Sequence, residues 1–207
     1  MIVHDDGHTN VISIDALDRF ERIREVNRGF AKDKFDLILT NPPFGAQVKA
    51  TERPYLGDYD LGKQTDVKGK TKARNNQKTE ILFLERIWHF LKPGTGRAAV
   101  VLPDGILTNS SLQYVRDFVL ERFQLLAVVS LPQTAFAHYG AGVKASVVFL
   151  RKRADGETPD DGEAVFMAAP EFIGYDATGC QCSNQLDDVV KECRAFDKAK
   201  DKTPFFV

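Results

Sequence analysis

The chain has 207 residues, 43% hydrophobic and 28% charged, which is ordinary for a soluble globular protein and enough for one large domain or a domain with an extension. Its net charge of -1 excludes a global basic field, so any nucleic-acid site must come from a local patch. No apolar run reaches the ~18 residues of a membrane span, and the opening MIVHDDGHTN lacks the basic and apolar regions of a signal peptide, so a cytoplasmic protein with no membrane partner is expected.

In chain order, NVISIDAL (10–17) reads as a short strand carrying Asp15 near its end, and RFERIREVNRGF (19–30) as a helix. FDLILTN (35–41) is a continuous apolar run, which predicts a strand buried on both faces. TEILFLERIWHFL (79–91) is a helix with Ile81, Leu84, Ile87, Trp88 and Leu91 on one face, stopped by Pro93-Gly94. GRAAVVLP (96–103) is a further buried strand, and SLQYVRDFVLERF (111–123) a helix capped by Ser110 or Ser111. LLAVVSLP (125–132) and KASVVFLRK (144–152) are strands whose connection is too short for a helical crossover, so they pair antiparallel. This alternation indicates a parallel α/β sheet ending in an antiparallel hairpin. Such sheets bind ligands at the carboxyl ends of their strands, which puts Asp15, Asn41 and Pro103-Asp104 on one rim.

Two segments stand apart. Residues 46–78 show no apolar periodicity, and from Gln47 to Lys78 they hold eight Lys/Arg against four Asp/Glu, so a basic, functional or disordered insert loop is expected. Residues 154–207 read as a C-terminal extension, with a strand at AVFMAA and a helix about QLDDVVKECRAFDKA whose Leu186, Val189, Val190, Cys193 and Phe196 share a face. Residues 1–153 are then the main domain. Cys180, Cys182 and Cys193 have neither CxxC spacing nor an even count, so they read as reduced thiols, with no metal site expected.

The tetrapeptide at the end of the 35–41 strand carries chemistry. Each proline of Asn41-Pro42-Pro43-Phe44 fixes φ and lacks an N–H, and Pro43 keeps Pro42 out of the helical region. The chain is held stiff, so the Asn41 amide oxygen and the Pro42 carbonyl can aim at one spot. Two acceptors there suit an NH2 group, and holding both its protons favours a tetrahedral, nucleophilic nitrogen. Phe44 offers a flat face to a planar group, and a base in duplex DNA must be flipped out to reach such a corner. The bland alternative is a stiff strand-ending turn.

On these residues the chain resembles the S-adenosylmethionine-dependent amino methyltransferases, whose fourth motif is (D/N/S)PP(Y/F/W). HTNVISIDAL, GRAAVVLPDGIL, LPQTAFAHYGAGVKASVVFLRK, IGYDATG and NQLDDVVKECRAF are similar, in the same order, to one branch: the modification subunits of type I restriction-modification systems and related N6-adenine DNA methylases. The resemblance implies a Rossmann-like methyltransferase fold, adenine-N6 methylation of double-stranded DNA, and S-adenosylmethionine as cofactor. It also implies a DNA-specificity subunit and a restriction subunit as partners. It makes Asn41, Pro42, Pro43 and Phe44 catalytic, with Asn41 also near the cofactor. Asp15 would hold the cofactor adenine. Phe136 would contact the target base, against the alternative of hairpin packing. Lys68, Lys70, Lys72 and Arg74 would meet phosphates, against the alternative of a solvated charged loop.

The family's glycine-rich cofactor loop and the acidic residue that follows it do not occur here, the glycines before the tetrapeptide being Gly7 and Gly29. The chain therefore reads as the back half of a methyltransferase, with Met1 matching an internal position of a truncated or split frame, an incomplete sheet, and impaired cofactor binding. Two other functions remain open. One is an inactive remnant that docks a specificity subunit. The other is methylation of protein glutamine or RNA amino groups.

Overall fold

The fold is taken from a computed structural model that describes residues 11–66, 68–140 and 142–198. In chain order the elements are α1 (Phe20–Val26), β1 (Leu37–Thr40), β2 (Gln47–Lys49), β3 (Lys63–Thr65), β4 (Thr71–Ala73), β5 (Asn76–Lys78) and α2 (Thr79–Phe90). They are followed by β6 (Arg97–Pro103), α3 (Asp104–Thr108), α4 (Gln113–Arg122), β7 (Phe123–Ser130), β8 (Ala145–Lys152), β9 (Phe166–Ala168), β10 (Ile173–Tyr175), β11 (Gln181–Asn184) and α5 (Leu186–Lys198).

The central sheet has five strands in the order β1-β6-β8-β7-β9. β1 runs parallel to β6, and β7 parallel to β9, while β8 is antiparallel to both its neighbours. The β7–β8 pairing is the hairpin that the short connection requires. One face of the sheet carries the core. Ala98, Val100 and Leu102 of β6 and Val148 and Leu150 of β8 pack against Ile81, Leu84 and Ile87 of α2 and Val115 and Phe118 of α4. Those α2 residues are spaced by three, so every turn of the helix returns an apolar side chain to the sheet.

Several expectations need correction. Residues 11–17 are irregular, with a bend at Ile14 and a turn at 16–17, and form no strand, so Asp15 does not end one. The apolar run 35–41 shortens to a four-residue strand, and it is not buried on both faces. Ile38 packs on the core, while Leu37 is 58% and Leu39 71% exposed. Leu39, Ala99 and Phe149 form one cross-strand row, and Phe149 is 37% exposed, so the second face around β1 is bare. A continuous apolar run signals capacity for burial on two sides, not the presence of a cover. Neither serine caps α4: its N-cap is Leu112, and Asn109 instead accepts from the Ser111 amide in the preceding 3-10 turn.

The 46–78 insert is ordered structure. β2 pairs with β5 and β3 with β4, both antiparallel, around a 3-10 turn at Pro54–Asp58. Strands of three residues are too short to show a period, which hid them. Tyr55, Leu56, Tyr59 and Val48 join Leu17 and Leu82 in a second, smaller core. Gly62 sits where a Cβ would fall 2.0 Å from the Leu56 carbonyl oxygen, so only glycine permits that approach. The insert is bolted to α2 by Glu85, whose carboxylate accepts from the Asp60 amide at 2.9 Å and the Leu61 amide at 2.8 Å. The buried Arg86 donates to the Leu17 and Asp18 carbonyls at 3.0 and 2.5 Å and to the Tyr59 hydroxyl, with its flat face 4.2 Å from the Phe20 ring.

Candidate target-base site at the sheet rim

β1 and β6 are parallel and in register, so both release the chain at the same rim. From β1 come Asn41, exposed, then Pro42, buried, Pro43, exposed, and Phe44, half-buried. The buried proline anchors the corner while the asparagine beside it stays accessible. From β6 comes Asp104, the first residue of α3. From the β7–β8 connection comes Phe136. Its ring meets that of Phe44 edge to face, with centroids 6.1 Å apart and planes at 87°. An edge-to-face pair is a stable arrangement of two aromatic quadrupoles.

A polar network that no sequence motif marks supports this rim. Ser146 Oγ donates to Asp104 Oδ1 at 2.8 Å. Lys144 Nζ donates to Ser130 Oγ at 2.8 Å and to the Leu131 carbonyl at 2.6 Å, and lies 3.8 Å from Asp104 Oδ2. These residues tie the ends of β6, β7 and β8 together. Only their position at strand ends marks Lys144 and Ser146 in the sequence.

The other candidate residues fall in two places. Asp15 lies in the turn before α1, and both its oxygens are engaged. Oδ1 accepts from the Leu17 amide at 3.0 Å and Oδ2 from the Tyr55 hydroxyl at 2.7 Å, with Arg53 Nε at 3.9 Å. Burial and that bond push the Tyr55 hydroxyl upward, so it stays a donor. Lys68, Lys70 and Lys72 are exposed on the β3–β4 hairpin, whose turn is closed by Asp66 Oδ1 accepting from the Lys68 and Lys70 amides. Arg74 differs from them: it donates to the Lys63 carbonyl at 2.9 Å and its guanidinium covers the Tyr114 ring at 4.3 Å. A cavity of about 280 Å³, lined by Phe20, Tyr59, Arg86 and His89, shares no residue with the rim. Among the described residues no cluster of His, Cys, Asp and Glu suits a metal, and no helix is long and apolar enough to cross a membrane.

Residues 1–206 match the model of the N-6 DNA methylase family. This chain belongs to that family. Among its relatives, the methylase subunit of the type I restriction enzyme EcoEI from Escherichia coli is 32% identical over 121 residues, 58% of this chain and 21% of that protein. The methyltransferase subunit of a type I restriction-modification system from Streptococcus thermophilus superposes with a TM-score of 0.65 at 23% identity, over 98% of this chain and 39% of that one. A Vibrio vulnificus YJ016 protein, assigned as the modification subunit of a type I restriction enzyme, gives 0.57 at 27% identity, over 88% and 34%. The N-6 DNA methylase fold is thus that of the methyltransferase sheet, and the chain spans about a fifth of the length of the E. coli relative.

Proposed function

We propose that this chain presents the target-base half of an N6-adenine DNA methyltransferase of a restriction-modification system. The observation that carries the reading is the meeting of Phe44, on the Asn-Pro-Pro-Phe corner, with Phe136 from the opposite loop. Together they offer aromatic surface beside two acceptors at the mouth of the sheet. In this reading an adenine turned out of the duplex stacks against Phe44, and Phe136 borders the same space. Its N6 amino group donates one proton to Asn41 Oδ1 and the other to the Pro42 carbonyl. Both bonds draw the nitrogen lone pair out of conjugation with the ring, so it becomes the nucleophile without a strong base nearby. S-adenosylmethionine supplies the methyl group when bound.

The described residues do not by themselves fit that cofactor. Asp15 has both oxygens engaged by the protein itself, and the sequence holds no glycine-rich loop to pass a methionine tail. We therefore propose that this chain alone binds S-adenosylmethionine weakly, and that a supplied N-terminal methylase half restores binding. Double-stranded DNA, a specificity subunit and a restriction subunit are the partners this reading implies.

The test is methylation of unmethylated DNA by the chain with a supplied N-terminal half. Asn41→Ala is expected to abolish it, and a near-normal rate in that variant would overturn the reading. Micromolar binding of S-adenosylmethionine to the chain alone, by calorimetry, would overturn the cofactor proposal. A second reading, a docking module for a specificity subunit, is favoured by α5, whose apolar face leaves Val190 41% exposed. Binding of that subunit with no effect of Asn41→Ala on any DNA reaction would select it.

A further inference from the structure

Three residues beyond Phe136 the same loop carries another large ring. Tyr139 is 73% exposed. It closes the 3-10 turn Ala137–Tyr139, in which its amide donates to the Phe136 carbonyl at 3.1 Å. Phe136, whose ring meets Phe44, precedes that turn as its N-cap, so the exposed Tyr139 ring follows the target-side phenylalanine by three residues on one loop.

The loop that carries it is held firmly. Ala135 is buried, and its carbonyl accepts from the Tyr175 hydroxyl at 3.1 Å. Gln133 Nε2 donates to the Gly142 carbonyl at 2.8 Å. His138 lies on Gly179 so closely that a Cβ there would fall 2.7 Å from the imidazole, and its ring meets Tyr139 edge to face at 5.2 Å. A rigid, amphipathic ring costs little ordering entropy on binding.

We propose that Tyr139 enters the base stack and fills the space vacated when a nucleotide turns into the Asn41–Phe44 corner. The proposal rests on the target-base reading above. Extruding a nucleotide costs stacking and pairing energy, and an aromatic ring in the gap returns part of it, since base–aromatic stacking does not depend on sequence.

The experiment needs neither cofactor nor a known recognition sequence. The full chain is titrated by fluorescence anisotropy against labelled duplexes of one sequence: intact, with one abasic site, with one bulged adenine, and with one bulged thymine. The abasic duplex has its gap already made, so the wild-type chain is expected to bind it on the order of tenfold tighter than the intact one. Tyr139→Ala brings that ratio near one, Tyr139→Trp keeps it, and Lys72→Ala weakens binding to both duplexes alike. A wild-type ratio near one, or an undiminished ratio in Tyr139→Ala, overturns the proposal. Asn41→Ala is expected to erase the preference for bulged adenine over bulged thymine. Should it leave that preference intact while Tyr139→Ala still loses the abasic ratio, the target-base reading fails and the stacking role stands as DNA binding only.

Discussion

Burial holds the His89 imidazole down to about 4 from an ordinary 6.5, helped by the nearby positive charges of Lys32 and Arg86. The folded protein keeps this ring neutral while the unfolded chain protonates it. Protons therefore favour unfolding below the unfolded value, and stability falls as pH drops through the window from 6.5 to about 4. Between pH 7 and 5 the loss from this one group is about 2 kcal/mol. Thermal melts of the wild-type chain and of His89→Gln across that range should show the variant with the shallower slope. Individual residues were legible in the sequence where covalent geometry limits the chain. Asn41 through Phe44 stood out because two prolines forbid most conformations. Phe136 was legible only through resemblance, since nothing local says that its ring will cross the sheet to reach Phe44. Ile12, Ile14 and Ala16 imitate the alternation of a strand around Asp15, whereas Tyr55 and the Leu17 amide hold it in a turn.

At the scale of elements, the insert and α2 are a single mechanical unit. Glu85 is buried, and burial pushes its carboxyl upward although two backbone amides donate to it. Glu85→Ala leaves those two amides without an acceptor and should cost about 3 kcal/mol. A lower urea midpoint with an unchanged slope would register it. The tip of the β3–β4 hairpin should behave in the opposite way, since Lys68, Lys70 and Lys72 project into solvent. Lys72→Ala is expected to leave the melting temperature alone while lowering DNA affinity and reducing the salt slope by about 1. Arg74→Ala should instead lose stability, because Tyr114 and the Lys63 carbonyl lose their partner. The long helices and strands of the main sheet were readable from periodicity. The insert was not, because its order comes from Tyr55, Leu56 and Tyr59 reaching residues that are distant in sequence.

For the whole molecule, the second face of the sheet is bare around β1, although Ala127, Val129 and Phe166 on that face are buried at its other side. Among the described residues β1 pairs only with β6, and Leu37 and Leu39 stand in water beside its outer edge. An apolar edge strand is a template for another chain. The isolated protein should self-associate as its concentration rises, and Leu39→Lys should suppress this in sedimentation velocity without lowering the melting temperature. No sequence pattern could have told which face would lack a cover, since that depends on what else is present to pack. The C-terminal residues have a more specific consequence. Tyr175 and Gly179 clasp the loop that bears Phe136 and Tyr139, so the tail acts as a splint for a segment some forty residues upstream. Cutting the chain before β10 should leave the central sheet protected in hydrogen-exchange measurements, yet the amides of Phe136 to Gly140 should exchange much faster. Unchanged protection there would mean that the loop keeps its shape without the splint.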